Sequence, residues 1–110
     1  MIEALVTLLV VDADTVRTPG GERLRLESID APGVAQWAEC RVEAMAGALA
    51  AARAAELLAG GGYVIDTGRR GGWGRPLVSV RLPDGRLLGD VLVAEGHAVP
   101  WAGRPHDFCE

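Results

Sequence analysis

Apolar residues crowd the start of the chain, where residues 4–11 combine Ala, Leu and Val with a single Thr, and this run predicts a β-strand. Asp12-Ala13-Asp14 follows as a turn, and residues 15–18 predict a second strand. Pro19-Gly20-Gly21 is a strong turn signal, so a hairpin is expected to lead into a third strand over residues 22–29. There Leu24, Leu26 and Ser28 alternate with Arg23, Arg25 and Glu27, the period of a strand with one buried face. Asp30-Ala31-Pro32-Gly33 ends it.

The period then changes. Over residues 39–59, Val42, Met45, Ala46, Leu49, Ala52 and Leu57 recur at helical spacing, while Arg41, Glu43, Arg53 and Glu56 fall mostly elsewhere. This predicts one long helix buried along that apolar stripe, stopped by Gly60-Gly61-Gly62. A short strand is expected at residues 63–66 and a loop rich in Gly and Arg at 67–72. Another hairpin should run from 75–82 through Pro83-Asp84-Gly85 to 86–88. A short helix at 90–95 should end at Gly96, with residues 97–101 extended. Three strands, a helix and two more strands is the order of an OB-type barrel. The expected fold is therefore β-rich α+β: a five-stranded OB-type barrel with one long helix and one short C-terminal helix. It should span residues 1–102 as one domain, with an irregular tail over 103–110.

Composition narrows the function. The 110 residues suffice for one modest core. All 11 cationic residues are Arg, which a GC-rich coding bias explains more readily than selection for bidentate phosphate forks. A net charge of −4 argues against a protein that coats nucleic acid nonspecifically, but not against a small pocket where several Arg meet one phosphate. No apolar run approaches transmembrane length. Residues 2–11 lack a positive leader region and a small-residue cleavage site, so they read as a strand and not a signal peptide. The chain as given is expected to be cytoplasmic and monomeric. Cys40 and Cys109 permit at most one internal bridge, and their spacing matches no zinc motif.

Candidate chemistry lies in the first third. Asp12, Asp14 and Asp30 are hard oxygen donors suited to Ca²⁺ or Mg²⁺, although Asp also serves ordinary turns. Arg25 and Arg75 offer planar forks for phosphate, although an Arg on a strand face can simply be solvated. The pattern becomes specific only when Asp14, Asp30, Arg25 and Arg75 are taken together. Trp37 is either a stacking platform for a base or a lid over the core. Arg69-Arg70 is read as a solvated loop that could guide a phosphate chain.

Asp12-Ala13-Asp14-Thr15-Val16, Arg25-Leu26 with Ile29-Asp30-Ala31-Pro32, Trp73-Gly74-Arg75, and Leu92-Val93 with Gly96-His97-Ala98 resemble, in order and spacing, the staphylococcal nuclease (thermonuclease) family. The resemblance runs from about residue 5 to residue 102. It implies a Ca²⁺-dependent phosphodiesterase acting on DNA and RNA, or a noncatalytic module that binds nucleotides or single strands. It further implies that Asp14 and Asp30 bind Ca²⁺ through carboxylates and Ala31 through its carbonyl, with Asp12 behind them. Arg25 and Arg75 would hold the scissile phosphate, and Trp73 and Trp101 would flank the nucleotide.

The departures are as informative. Gly33 stands where the family carries the Glu thought to act as general base, so hydrolysis is expected to be slowed. Restoring Glu at that position is expected to raise cleavage, and Glu27 and Glu39 are candidate substitutes. The Asp that usually precedes the aromatic-Gly-Arg segment is missing from Gly71-Gly72-Trp73. Cys40 and Cys109 are placed as in small bacterial relatives of that family, which implies a bridge tying the tail to the helix. Unpaired thiols are the alternative.

Overall fold

The computed structural model describes residues 4–110; Ile2 and Glu3 of the expected opening strand lie outside the described residues. That strand is split into β1, Leu5–Val6, and β2, Leu9–Asp12. Leu8 between them enters the core, while Leu9 stays exposed. β3, Thr15–Arg17, and β4, Arg23–Leu26, continue the antiparallel ladder, with Val10 opposite Val16 and Thr15 opposite Arg25.

The third strand is shorter than its alternation predicts. Ser28 adopts a left-handed backbone with φ of 70°, which no strand accommodates, and the chain leaves the sheet there. Ile29–Asp30 forms β5 instead, and pairs with Val99–Pro100, β8, in a separate two-stranded sheet. In the opposite sense, β6 spans Gly62–Arg70 and absorbs most of the expected loop. A register shift between Asp66 and Arg70 and the left-handed Gly68 accommodate the extra residues as a bulge.

β7, Pro76–Arg81, pairs antiparallel with β6 and parallel with β4, with Arg25 opposite Leu77. The expected strand over 86–88 is reduced to one bridge between Arg81 and Leu87. Leu88 is fully buried and already begins α2, Leu88–Ala94. The main sheet therefore has the order β1-β6-β7-β4-β3-β2. Its two outer strands are consecutive in the chain, with only Thr7 and Leu8 between them, and the mixed sheet is curled into a half-barrel. Two helices complete an α+β domain, and no helix among the described residues is long and apolar enough to cross a membrane.

α1, Arg41–Leu57, lies within the predicted span, capped by Cys40, whose Sγ accepts the Glu43 N–H at 3.4 Å. Its orientation differs from expectation. Val42, Met45 and Leu49 are between 60% and 65% exposed, and the buried positions are Gly47, Ala50 and Ala54. Small residues win this face because they let the helix axis approach its neighbours closely. The approach is tightest at Gly47, where a Cβ would sit 2.1 Å from the Gly33 carbonyl oxygen. Gly47→Ala is accordingly expected to destabilise the domain by about 2 kcal/mol, despite the better helix propensity of Ala. A thermal melt should show a drop of roughly 10 °C, and an unchanged melting temperature would disprove this packing.

Candidate functional site

The tight turn between β2 and β3 places Asp14 inside the protein. A buried carboxylate needs partners, and both its oxygens are engaged. Oδ2 accepts the Ala31 N–H at 2.8 Å and lies 2.9 Å from Arg25 Nη1, while Oδ1 accepts the Thr15 hydroxyl at 3.2 Å. Arg25 projects from β4 and also donates to the Asp14 backbone oxygen at 3.2 Å. Its second amine, Nη2, reaches Asp30 Oδ1 on β5 at 3.6 Å. One guanidinium fork thus spans the two carboxylates that the sequence singled out.

The remaining oxygen of Asp30, Oδ2, accepts the backbone N–H of His106 at 2.8 Å. The donor belongs to the irregular tail, which a Cys40–Cys109 disulfide anchors to the start of α1, with a Cα–Cα distance of 6.0 Å. Asp12 completes the cluster. Its Oδ1 is buried and has no hydrogen-bond partner among the described residues.

The cluster holds more negative charge than its burial favours. Burial raises the pKa of Asp14 from 3.8 to about 7, helped by hydrogen bonding and repulsion from Asp12, and only partly opposed by Arg25 and the Ala31 N–H. Burial also raises Asp30, against the lowering effect of the His106 N–H. Burial therefore favours uptake of a proton at Asp14 as the pH falls.

Arg75 approaches from the other side of the same turn. It follows a 3-10 turn at Gly72–Gly74, where its Nε donates to the Gly72 carbonyl at 3.2 Å, and its Nη1 lies 3.5 Å from the Thr15 hydroxyl. Thr15 therefore links the buried carboxylate to the second Arg. Arg25, Asp30 and Arg75 line a cavity of about 550 Å³. Trp73 and the half-exposed Trp101 flank it. Glu27 and Arg69 form an ion pair in the same cavity, and Glu27 also accepts the Ser79 hydroxyl at 3.1 Å.

Gly33 lies elsewhere. It is buried, lines neither this cavity nor its neighbour, and donates its N–H to Glu43 Oε2 at 2.8 Å. A Cβ there would stand 3.2 Å from that oxygen and 3.2 Å from the Trp37 backbone carbonyl. A glutamate restored at 33 would thus begin beside another carboxylate, so it is not a simple replacement of a missing group. Glu39 is exposed, and its N–H is bound by Glu43 at 3.0 Å.

Several partners were not anticipated from the sequence. Glu43 ties Gly33 and Glu39 to the helix start, and the signal for it was the Cys40-x-x-Glu43 spacing of a capping box, although the glutamate accepts the N–H of Glu39 rather than that of the cap residue. Thr15 between Asp14 and Arg75, and the tail N–H on Asp30, have no local sequence signal at all. Among the described residues no three His, Cys, Asp or Glu side chains group closely enough to form a metal cage unaided. No family model matches this chain, and no curated protein matches it either.

Proposed function

We infer that the chain is a slow, Ca²⁺-dependent phosphodiesterase of the staphylococcal nuclease type, acting on single-stranded DNA or RNA. Its curled sheet is read as a five-stranded OB-type barrel in which β1 and β2 are two halves of one bent strand. The observation that carries the reading is convergence: Arg25, Arg75 and Asp30 line one cavity flanked by exposed indoles, and Arg25 ties Asp30 to the buried Asp14 behind it.

The donor set suits a hard divalent ion, because buried acidic oxygens are already short of positive charge and Asp12 Oδ1 has no partner. Asp14 and Asp30 would hold it through carboxylates and Ala31 through its carbonyl, with Asp12 behind Asp14. Bound there, Ca²⁺ supplies a polarised water and offsets phosphate charge. The chain's own residues do the rest. Arg75 grips the phosphate from outside the carboxylate pair, fixed by the Gly72 carbonyl. Arg25 is drawn toward phosphate as it leaves the carboxylates, and its charge then faces the pentacovalent transition state. Trp73 and Trp101 exclude water and stack on the base. Among the described residues Glu27 is the only carboxylate besides Asp30 that lines the cavity, but Arg69 and Ser79 hold it. Proton acceptance is left to solvent, and general-base assistance of about 10²–10⁴-fold is forgone.

Cleavage of labelled single-stranded DNA with Ca²⁺ against chelator tests this. Slow cleavage that needs Ca²⁺ and falls by about 10²-fold or more in Arg75→Ala is the expected result. A second reading, a noncatalytic module for nucleotides or single strands, is favoured by one observation: Arg25 already pairs with both carboxylates. Binding that persists in chelator with no cleavage would select it.

A further inference from the structure

Resting on the reading above, we propose that the protein has a second base-binding pocket on the far side of Arg75, so that its ligand is a strand of at least two nucleotides. Beside the main cavity lies another of about 410 Å³, lined by Asp12, Thr15, Arg23, Trp37, Trp73 and Arg75 among others. That volume falls in the range of about 300–1,000 Å³ that suits small ligands. Trp73 and Arg75 line both cavities, so the two adjoin at that pair. A phosphate gripped by Arg75 therefore has a base-sized space on either side of it.

The chemistry of the second space favours a base over another phosphate. Trp37 is half-exposed, and the Arg23 guanidinium lies 5.9 Å from its ring, a cation–π pair that holds the indole in place. Of the two guanidinium groups lining this cavity, Arg23 is held against Trp37 and Arg75 grips the first phosphate, while Asp12 offsets their charge, so the space suits a neutral base better than a second phosphate. Trp73 stands between the two spaces, 97% exposed on a left-handed backbone with φ of 64°. A bulky aromatic residue in that conformation is strained and gains nothing from burial, which marks it as a residue kept for contact with a ligand. Its two faces are available to the bases that precede and follow one phosphate.

The test compares a nucleoside 3′,5′-bisphosphate with a phosphorylated dinucleotide and a tetranucleotide, by Trp fluorescence and calorimetry with Ca²⁺ present. The native chain should bind the dinucleotide about tenfold more tightly than the bisphosphate, with little further gain for the tetranucleotide, as one added stacking contact requires. Trp37→Ala and Arg23→Ala should each remove most of that gain. Equal affinity for bisphosphate and dinucleotide, or an unchanged gain in both variants, would overturn the second pocket and leave the first reading standing. Failure of every ligand to bind would overturn both. Circular dichroism on each variant separates lost contact from lost fold.

Discussion

Asp14→Asn is expected to stabilise the protein at pH 8, by about 2 kcal/mol, and to destabilise it by a similar amount below pH 4. The native carboxyl has a pKa near 7 against 3.8 when unfolded, so between those values the folded state binds more protons than the unfolded one. Stability is then greatest below the unfolded value and falls as pH rises through the window, levelling off once the native group has ionised. The whole interval is worth on the order of 4 kcal/mol. Asn recovers only part of it. Its amide oxygen can keep the Ala31 N–H, and its NH₂ can face Asp12, but the charged pair with Arg25 is lost. Asp30 has the same sign of shift and should add to the pH slope in both proteins.

Melting curves at pH 4, 6 and 8 would show two lines that cross as pH rises, the native protein melting higher at pH 4 and the variant higher at pH 8. Millimolar Ca²⁺ at pH 8 should raise the native melting temperature and leave Asp14→Asn unmoved, because only the native cluster presents the ionised Asp14 carboxylate that the ion can neutralise. If Asp14→Asn melts lower by a constant amount at every pH, then Asp14 is ionised and well paired throughout. The charge-starved cluster, and the argument for a cation built on it, would then be wrong.

Much of this site was legible because its residues are tied to local features. The Asp12-Ala13-Asp14 turn, the alternation around Arg25 and the Gly-rich segment before Arg75 each fix one side chain relative to its own backbone. Strand pairing then brings three of them together, since Thr15 faces Arg25 across the ladder and Arg25 faces Leu77 in the parallel pair. What stayed hidden depends on contacts distant in sequence. Helical spacing identifies faces of α1 but not the one the sheet prefers, and the close contact between Gly47 and Gly33 decided in favour of the small residues. The alternation of residues 22–29 continues past the point where Ser28 leaves the sheet, because side-chain period carries no record of a left-handed backbone. Similarly, nothing around Asp30 announces the His106 N–H that it accepts from 76 residues away.

That distant contact depends on the disulfide, and breaking the bridge carries the other large effect. Cys40→Ser and Cys109→Ser are each expected to lower stability by about 2–4 kcal/mol, or a melting temperature loss of roughly 15 °C. The bond closes a long loop, with 69 residues of sequence separation, so its removal frees much unfolded-chain entropy. The two variants separate this from local chemistry. Cys40 is the N-cap of α1, and Ser is a strong N-cap, so Cys40→Ser keeps the cap while breaking the bridge. Equal losses in the two variants would assign the effect to the bridge; no loss in either, or two free thiols in the oxidised native protein, would refute it. A released tail also withdraws the His106 N–H from Asp30 and Pro105 from the wall of the main cavity. Asp30 then has a free oxygen, so Ca²⁺ and nucleotide should bind more tightly to Cys109→Ser than to the bridged protein at a temperature where both are folded. The bridge would thus stabilise the fold while restraining the site.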